Sequence, residues 1–130
     1  MKKILTVILI VITIIAAVMF FLVQRENQNT ILYTVQNKQY RLFTAKTPQE
    51  WEKGLMFVRK LDNADGMIFL FPDKNTRTFW NKNTYVDLDL YWMDDMIVVG
   101  KSYLPSVEKK GIVTVTSPRP VNMVVELIRK

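Results

Sequence analysis

The sequence contains neither cysteine nor histidine among its 130 residues. Without cysteine the chain forms no disulfide, performs no thiol chemistry and receives no lipid on a cysteine side chain. Without either residue type it lacks a Ser-His-Asp or Cys-His triad and the usual zinc ligands. Any catalysis would rely on carboxylates, lysine, tyrosine or an oxygen-ligated metal. We therefore expect no cofactor and no metal site, and the composition favours a binding protein while leaving an enzyme open.

Positive charge exceeds negative charge, but the cations are not concentrated. The chain has 18 Lys and Arg against 12 Asp and Glu, which gives a net charge of +6. Lys109-Lys110 and Arg129-Lys130 are only doublets. A nucleic-acid-binding surface has its cations clustered on one face. The pattern therefore predicts no nucleic-acid partner, and it fits an ordinary solvated surface or a domain held near an anionic membrane or cell wall.

A long apolar run occupies the N-terminus. The run from Ile4 to Val23 carries no charge, and a helix of about 20 residues reaches the ~30 Å thickness of the bilayer hydrocarbon. Lys2 and Lys3 precede it, which favours a cytoplasmic N-terminus and a domain outside the cytoplasm. A cleaved signal peptide is the alternative, although its apolar core is typically about 7–15 residues and ends in small residues. The small pair Ala16-Ala17 lies inside the run.

These features predict three parts. Residues 1–23 form a transmembrane anchor or, alternatively, a signal peptide; residues 24–30 form a polar spacer; residues 31–130 form a single extracytoplasmic β domain. About one hundred residues suffice for one compact domain and are too few for two. The protein is thus expected in the cell membrane as a single-pass protein, or secreted if the segment is cleaved.

The domain shows the short apolar and β-branched runs of a β protein. One helix is predicted from Thr47, which can cap it, with Pro48 at its first position and Glu50 reaching back to the cap. The connections between runs are too short for parallel crossovers, so antiparallel pairing is expected. The predicted fold is mainly β with one short helix, a small antiparallel β-sandwich or barrel preceded by one N-terminal transmembrane helix. Strands are predicted over residues 31–36, 39–45, 67–71, 77–80, 85–92, 96–99, 112–116 and 121–128.

The segment 78–92 holds the densest group of candidate functional residues. Trp80 ends one predicted strand, and Lys82, Asn83 and Thr84 follow in a tight turn. A tryptophan face beside amide and ammonium donors is one way to hold a sugar or a small anion. The same residues are also ordinary in a surface turn, where asparagine tolerates left-handed geometry.

Alternation along the next strand turns Asp87 and Asp89 to one face, opposite Leu88 and Leu90. Residues two apart on a strand lie about 7 Å apart along one face. Two such carboxylates could serve acid–base chemistry, and a solvent-exposed face of an antiparallel sheet is the simpler explanation.

The last predicted strand places Glu126 among apolar residues. Its period-two pattern puts Glu126 on the face of Val124 and opposite Val125. A carboxyl group buried in such a strand needs a partner, whereas a surface position needs none. The candidate partners are Arg59, Arg77 and Lys82.

Five short motifs occur in order along the domain. They are Gly54-Leu-Met56 with Phe57 and Arg59, Gly66-Met67 with Phe69 and Phe71, Phe79-Trp80-x-Lys82-Asn83-Thr84, Leu88-Asp89, and Val125-Glu126-Leu127. Together they resemble the family known as domain of unknown function 192, over residues 40–129. The resemblance implies a compact, mostly β domain with one short helix and no established activity. It places the family's characteristic polar positions at Arg59, Trp80, Lys82, Asn83, Thr84, Asp89 and Glu126.

The chain departs from the family pattern at two positions. Asn81 stands where methionine is usual, and Asp87 where proline is usual before Leu-Asp. The resemblance therefore removes Asp87 from any shared site and leaves Asp89.

Three functions remain open. The favoured one is a membrane-anchored extracytoplasmic module that binds a small polar or anionic ligand, such as a cell-wall glycan, through the seven polar positions named above. The second is a hydrolase with Asp89 and Glu126 as acid and base, which for glycosides needs the two carboxyls about 5–9.5 Å apart. The third is an accessory envelope protein that docks on another component, in which the polar residues form only an internal network.

Overall fold

The computed structural model describes residues 1–26 and 30–130. Its first element is α1 (Lys2–Glu26), within which Lys2–Leu22 is long and apolar enough to cross a membrane and has none of its length buried in the protein. The predicted N-terminal apolar helix is therefore present. Of the predicted spacer, residues 24–26 continue α1 and Thr30 begins the first strand, while residues 27–29 lie outside the described part.

The described part of the domain is mainly β, as predicted, and its eight strands build two sheets. One sheet has six strands in the order β1-β2-β3-β8-β5-β6, and the other pairs β4 with β7. The strands are β1 (Thr30–Val35), β2 (Lys38–Ala45), β3 (Gly66–Asn75), β4 (Thr78–Trp80), β5 (Leu88–Asp94), β6 (Ile97–Leu104), β7 (Thr114–Thr116) and β8 (Val121–Ile128). Two short helices accompany them, α2 (Pro48–Lys53) and α3 (Val107–Lys110).

One pair of strands departs from the predicted antiparallel pattern. β2 and β3 run parallel, whereas every other neighbouring pair among the described strands is antiparallel. The chain from Lys46 to Asp65 connects β2 to β3 and contains α2. A connection of a dozen or more residues with a helix can carry the chain back for a parallel pairing. This connection is the longest in the domain, whereas the prediction of antiparallel pairing assumed that every connection is short.

The sheets are layered and do not close on themselves. β1 and β6 are free edges of the large sheet, so the described strands form an open sheet rather than a barrel. Phe79 of β4 and Val115 of β7 pack against one face of the large sheet. The domain is thus sandwich-like, with a six-stranded layer partly covered by a two-stranded one.

Period-two alternation divides the core between the two faces of the large sheet, as predicted. Val86, Leu88, Leu90 and Trp92 belong to the larger cluster, which β4 and β7 cover. Tyr91 belongs to the cluster on the opposite face. β3 is an interior strand of the large sheet, and its residues Met67, Ile68 and Phe69 are all buried.

The predicted capping of α2 is confirmed, and α3 was missed. The Thr47 hydroxyl accepts a hydrogen bond from the Glu50 amide, and the Glu50 carboxylate accepts one from the Thr47 amide. α3 lies in a stretch that was predicted as loop, with Ser106 as its N-cap. A helix of 4 residues has too few positions to show an apolar stripe.

Candidate functional site

A cavity of about 390 Å³ opens on the face of the large sheet that carries the larger core cluster. Its walls come from the C-terminal part of α2 and the residues after it, from β3, and from the segment 76–80 that includes β4. Thr84 and Glu126 complete the lining. We call this space the aromatic cavity.

Five aromatic side chains line the aromatic cavity: Trp51, Phe69, Phe71, Phe79 and Trp80. Four of them pack on one another, with ring centroids 4.9 Å apart for Trp51 and Phe71, 4.9 Å for Phe69 and Phe79, and 6.5 Å for Phe71 and Phe79. Both Phe79 contacts are nearly perpendicular, the geometry in which a positive ring edge meets a negative ring face. The cavity thus combines a cluster of packed aromatic rings with polar and charged side chains in its lining.

A glycine allows α2 to approach this wall. Gly54 ends α2 with a φ of +46°, a backbone conformation that side-chain-bearing residues rarely adopt. A Cβ at this position would stand 3.3 Å from the ring of Phe69. The motif glycine thus lets the chain turn tightly beside the cavity.

Glu126 is the buried acid of the aromatic cavity. Its side chain lines the cavity, and the residue is only 4% exposed. On β8 it lies directly between Met67 of β3 and Leu90 of β5, neither of which carries a charge. Burial raises the pKa of the Glu126 carboxyl to about 8, and no hydrogen bond or ion pair from the described residues opposes that shift. The group is therefore mostly protonated at neutral pH.

None of the three predicted partners reaches Glu126. Arg59 pairs with Glu108, at 2.8 Å. Arg77 lines the cavity but pairs with Asp73, at 2.8 Å, and stacks on an aromatic ring. Lys82 lies over the ring of Trp80. Each cation has a different contact, and the acid stays without a partner in the described structure.

Trp80 and Thr84 lie with Glu126 in the aromatic cavity, as expected for members of one site. Trp80 is 43% exposed, and the Lys82 ammonium lies 4.9 Å from its ring centroid. Thr84 is buried, and its hydroxyl donates to the Lys82 carbonyl, which leaves the hydroxyl oxygen free to accept. Asn83 shapes the turn, with a φ of +53° and its carbonyl accepting from the Phe57 amide.

Arg59 lies outside the aromatic cavity. Its guanidinium stacks on Tyr85, 4.4 Å from the ring centroid, in addition to its ion pair with Glu108. It borders a different surface depression. Arg59 is therefore not part of the site formed by Trp80, Thr84 and Glu126.

Asp89 lies on the other face of the large sheet. It pairs across the strands with Leu127, which belongs to the opposite core cluster, whereas Glu126 pairs with Leu90. Lys101 and Arg129 lie 3.5 Å and 3.7 Å from its carboxylate. Asp89 and Glu126 therefore face opposite sides of one sheet and do not flank a common bond.

Asp87 serves a local structural contact, in line with its exclusion from the site. Its carboxylate accepts from the Ser106 amide at 2.9 Å and pairs with Lys109. The Lys109 ammonium and then the Ser106 amide hold the pKa of Asp87 below its usual value. These contacts fasten both ends of α3. Within the described residues no three Asp or Glu side chains come together as ligands for a metal ion.

Comparison with known proteins agrees with the motifs. Residues 30–130 match the model of the family described as an uncharacterised ACR, domain of unknown function 192. The chain belongs to this family. No protein of the curated set matches significantly.

Two solved structures resemble the domain-of-unknown-function-192 chain described here. One is a candidate transcription regulator from Sinorhizobium meliloti 1021, with 29% identity, a TM-score of 0.61, and coverage of 76% of this chain and 78% of that one. The other is a protein of unknown function from Novosphingobium aromaticivorans DSM 12444, with 26% identity, a TM-score of 0.59, and coverage of 79% and 83%.

Sequence reasoning missed several residues of this family member's cavity. Trp51 and Phe71 line the cavity, and the sequence gives no sign of this because a cavity wall and a core share the same apolar pattern. Arg77 was considered only as a partner for Glu126. Arg77 pairs instead with Asp73, and since this segment is not a helix, their spacing of four residues does not predict the pair.

Asn81 is a further residue whose role the sequence did not predict. It is fully buried, and its amide donates to the carbonyls of Pro105 and Gly111 at 2.8 Å and 3.0 Å while its oxygen accepts from the Val113 amide at 2.8 Å. It therefore ties the loop after Trp80 to the segment before β7.

We expect Asn81→Ala to lower the free energy of unfolding by about 2–4 kcal/mol, because three backbone groups lose their partner in a buried site. Chemical denaturation followed by tryptophan fluorescence measures this loss. Asn83→Ala, at a half-buried turn, is the matched control, and we expect a loss of only about 1 kcal/mol because alanine tolerates the left-handed φ less well than asparagine. Equal losses in the two variants would contradict the role given to Asn81.

Proposed function

We propose that this protein is a membrane-anchored binding module whose domain takes a small polar ligand into the aromatic cavity. The observation that carries the proposal is the carboxyl of Glu126, which is 4% exposed, lines the cavity and has no partner among the described residues. A buried polar group left unsatisfied costs about 1–3 kcal/mol. A ligand that hydrogen-bonds to Glu126 relieves this cost, so the cavity favours a polar occupant.

The size and lining of the cavity support the proposal. Small-molecule sites typically have volumes of about 300–1,000 Å³ and combine apolar walls with a few polar groups, and the aromatic cavity has about 390 Å³. Its polar groups in reach of a bound molecule include Glu126 and the Thr84 hydroxyl. Trp80 at the rim offers a partly exposed ring on which a sugar face can stack.

The cations of the site favour a polar ligand over an anionic one. Arg59 lies outside the cavity, and Arg77 is already paired with Asp73. Lys82 lies over the Trp80 ring outside the cavity lining. Among the cations that line the cavity, Lys53 is exposed, and the Nε of Arg77 is buried without a hydrogen-bond partner among the described residues. An anion beside Glu126 would nevertheless meet a buried carboxyl group, which favours a ligand that is polar but not anionic.

α1 supports a location at the membrane. Its apolar length suffices to span a bilayer, and Lys2 and Lys3 at its start favour a cytoplasmic N-terminus. The domain would then lie outside the cytoplasm, where fragments of cell-wall glycan are available as ligands. A cleaved segment would release the same domain and leave the cavity unchanged.

We expect Trp80→Ala to weaken ligand binding at least about tenfold, because the aromatic platform at the rim is lost. The melting temperature should change little, since Trp80 is 43% exposed. The measurement is calorimetric titration with glucosamine and N-acetylglucosamine, together with a thermal scan. Tyr103→Ala is the matched control, because Tyr103 is 40% exposed and lies on β6 away from the cavity. Unfolding of the Trp80 variant, or unchanged affinity, would contradict the proposal.

A further inference from the structure

Two rings that border the aromatic cavity already carry a cation of the protein itself. The guanidinium carbon of Arg77 lies 4.0 Å from the ring centroid of Phe71, and the ammonium of Lys82 lies 4.9 Å from that of Trp80. A cation within about 6 Å of a ring centroid is attracted by the negative ring face. These contacts show that ring faces at the cavity hold cations of the protein itself.

An acidic side chain surrounded by aromatic rings is an arrangement that suits the binding of an organic ammonium group. Aromatic rings recognise ammonium groups through their faces, and a carboxylate supplies the counter-ion. We propose that the aromatic cavity binds an organic ammonium group carried on a small polar ligand, with Glu126 as its counter-ion. This inference rests on the proposed function and names the chemical class of its ligand.

The other charged groups near Glu126 are exposed or already in an ion pair, so Glu126 is the group that serves as the counter-ion. α2 contributes Glu52 and Lys53, which have opposite charges and are exposed. The segment before β4 contributes Arg77, which pairs with Asp73 through a terminal nitrogen, while its buried Nε has no hydrogen-bond partner among the described residues. The strand neighbours of Glu126 on β3 and β5 are apolar, as noted above. The buried acid is therefore the group whose charge a ligand has to match.

Binding of an ammonium group should release a proton. The empty cavity holds Glu126 mostly as the neutral acid at pH 7, since burial raises the pKa of this carboxyl to about 8. The ammonium ion binds the carboxylate, so the carboxyl proton passes to the buffer and the ligand keeps its own charge. Affinity should therefore rise by up to about tenfold per pH unit below pH 8 and level off above it. A neutral hydrogen-bond acceptor would bind the acid form and show the opposite dependence.

The test compares cations with their neutral counterparts on the full-length chain in phosphatidylglycerol nanodiscs, which carry no ammonium group. Choline is titrated against 3,3-dimethylbutan-1-ol, in which carbon replaces the charged nitrogen, and glucosamine is titrated against N-acetylglucosamine. Calorimetry at about pH 6.5 and about pH 8.5, on either side of the carboxyl midpoint, gives the choline affinity and the number of protons released. Glu126→Gln keeps the side-chain shape and removes the charge.

We expect each cation to bind at least about tenfold more tightly than its neutral counterpart, because only the cation gains the ring faces and the counter-ion. The affinity of choline should rise from the lower to the higher pH, with proton release at the lower pH. Glu126→Gln should weaken the preference for cations, because the ring faces remain, and should remove the pH dependence. Equal binding of cation and neutral counterpart, or affinity that falls as pH rises, would overturn the inference.

The same titrations separate this inference from the proposed function. If N-acetylglucosamine binds at least as well as glucosamine and Trp80→Ala abolishes that binding, the cavity is a ligand site and its ammonium preference is refuted. If no probe binds, both proposals fail. If choline binds, a second titration in nanodiscs that contain phosphatidylcholine identifies the source of the ammonium group. A site for a lipid headgroup would bind free choline more weakly in these nanodiscs, because the lipid competes for it. A site for a soluble ammonium ligand would bind equally in both membranes.

Discussion

Replacement of Glu126 by glutamine is expected to remove a decline in stability of about 4–5 kcal/mol between pH 4.5 and pH 8. The carboxyl has an ordinary pKa of 4.5 when unfolded and a pKa of about 8 when buried in the native domain. Between these values the native state holds a proton that the unfolded state has released. The free energy of unfolding therefore falls by about 1.4 kcal/mol per pH unit as pH rises, and it is fully preserved only below the unfolded pKa.

The measurement is denaturant unfolding of the full chain at a series of pH values, followed by fluorescence of the three tryptophans, which all lie in the domain. The pKa values of Glu50, Asp87 and Asp95 are lowered, chiefly by hydrogen bonds, so their contributions are lost only at more acidic pH, outside this window. Glu52→Gln, at the exposed rim of the cavity, is the control and should follow the wild type. A wild-type curve that is flat from pH 5 to 8 would contradict the burial of a neutral Glu126.

Replacement of Gly66 by alanine is expected to cost more than about 3 kcal/mol, or to prevent folding. Gly66 begins β3, where a Cβ would lie well inside van der Waals contact with the backbone carbonyl of Glu126 and close to Leu127. Because the atoms it would meet are backbone, no side-chain rotation relieves the clash, and β3 and β8 would have to separate. The change would also displace the strand that presents Glu126 to the cavity.

The effect of Gly66→Ala is measured as soluble yield and as the midpoint of denaturant unfolding. Gly111→Ala is the matched control. A Cβ at this position meets no atom within 4 Å, so the variant is destabilised only by its backbone conformation, which has a φ of +73°. We expect the control to lose about 1–3 kcal/mol, because a φ of +73° with a ψ of −163° is a conformation that essentially only glycine adopts. A Gly66 variant as stable as the Gly111 variant would contradict the close approach of β3 and β8.

The parts of the fold that depend on local signals were predictable. The cap of α2 is encoded within four residues, from Thr47 to Glu50, and both of its hydrogen bonds form. The two faces of β5 and β8 follow from period-two alternation, which places Val124 and Val125 in different core clusters. Such signals need no knowledge of which strands are neighbours.

The parts that depend on long-range pairing were not predictable. The parallel alignment of β2 and β3 is decided by where a long connection returns, and the apolar pattern of a strand carries no direction. α3 is stabilised by Asp87, whose carboxylate accepts from Ser106 nineteen residues away in sequence. A contact between residues so far apart in the sequence produces no local sequence pattern.

The candidate site was predicted only in part, because it too depends on which strands are neighbours. The motifs brought Trp80, Thr84 and Glu126 to attention, and these three lie together in the aromatic cavity. Asp89 was included because its motif is characteristic, yet its neighbours in the sheet turn it to the other face. The sequence does not distinguish the aromatic walls of the cavity from core residues, because only a structure shows whether a ring borders a cavity or is packed on all sides.

The most direct test of the central claim is a carbon-13 NMR titration of the Glu126 carboxyl carbon in the full-length chain. Our account predicts a midpoint near the pKa of about 8 that burial gives this group. It also predicts that saturating choline lowers the midpoint, because the ammonium ion favours the carboxylate. A midpoint near the ordinary value of 4.5 without ligand would show that Glu126 is solvated or paired, and would contradict the assignment of the aromatic cavity as a ligand site.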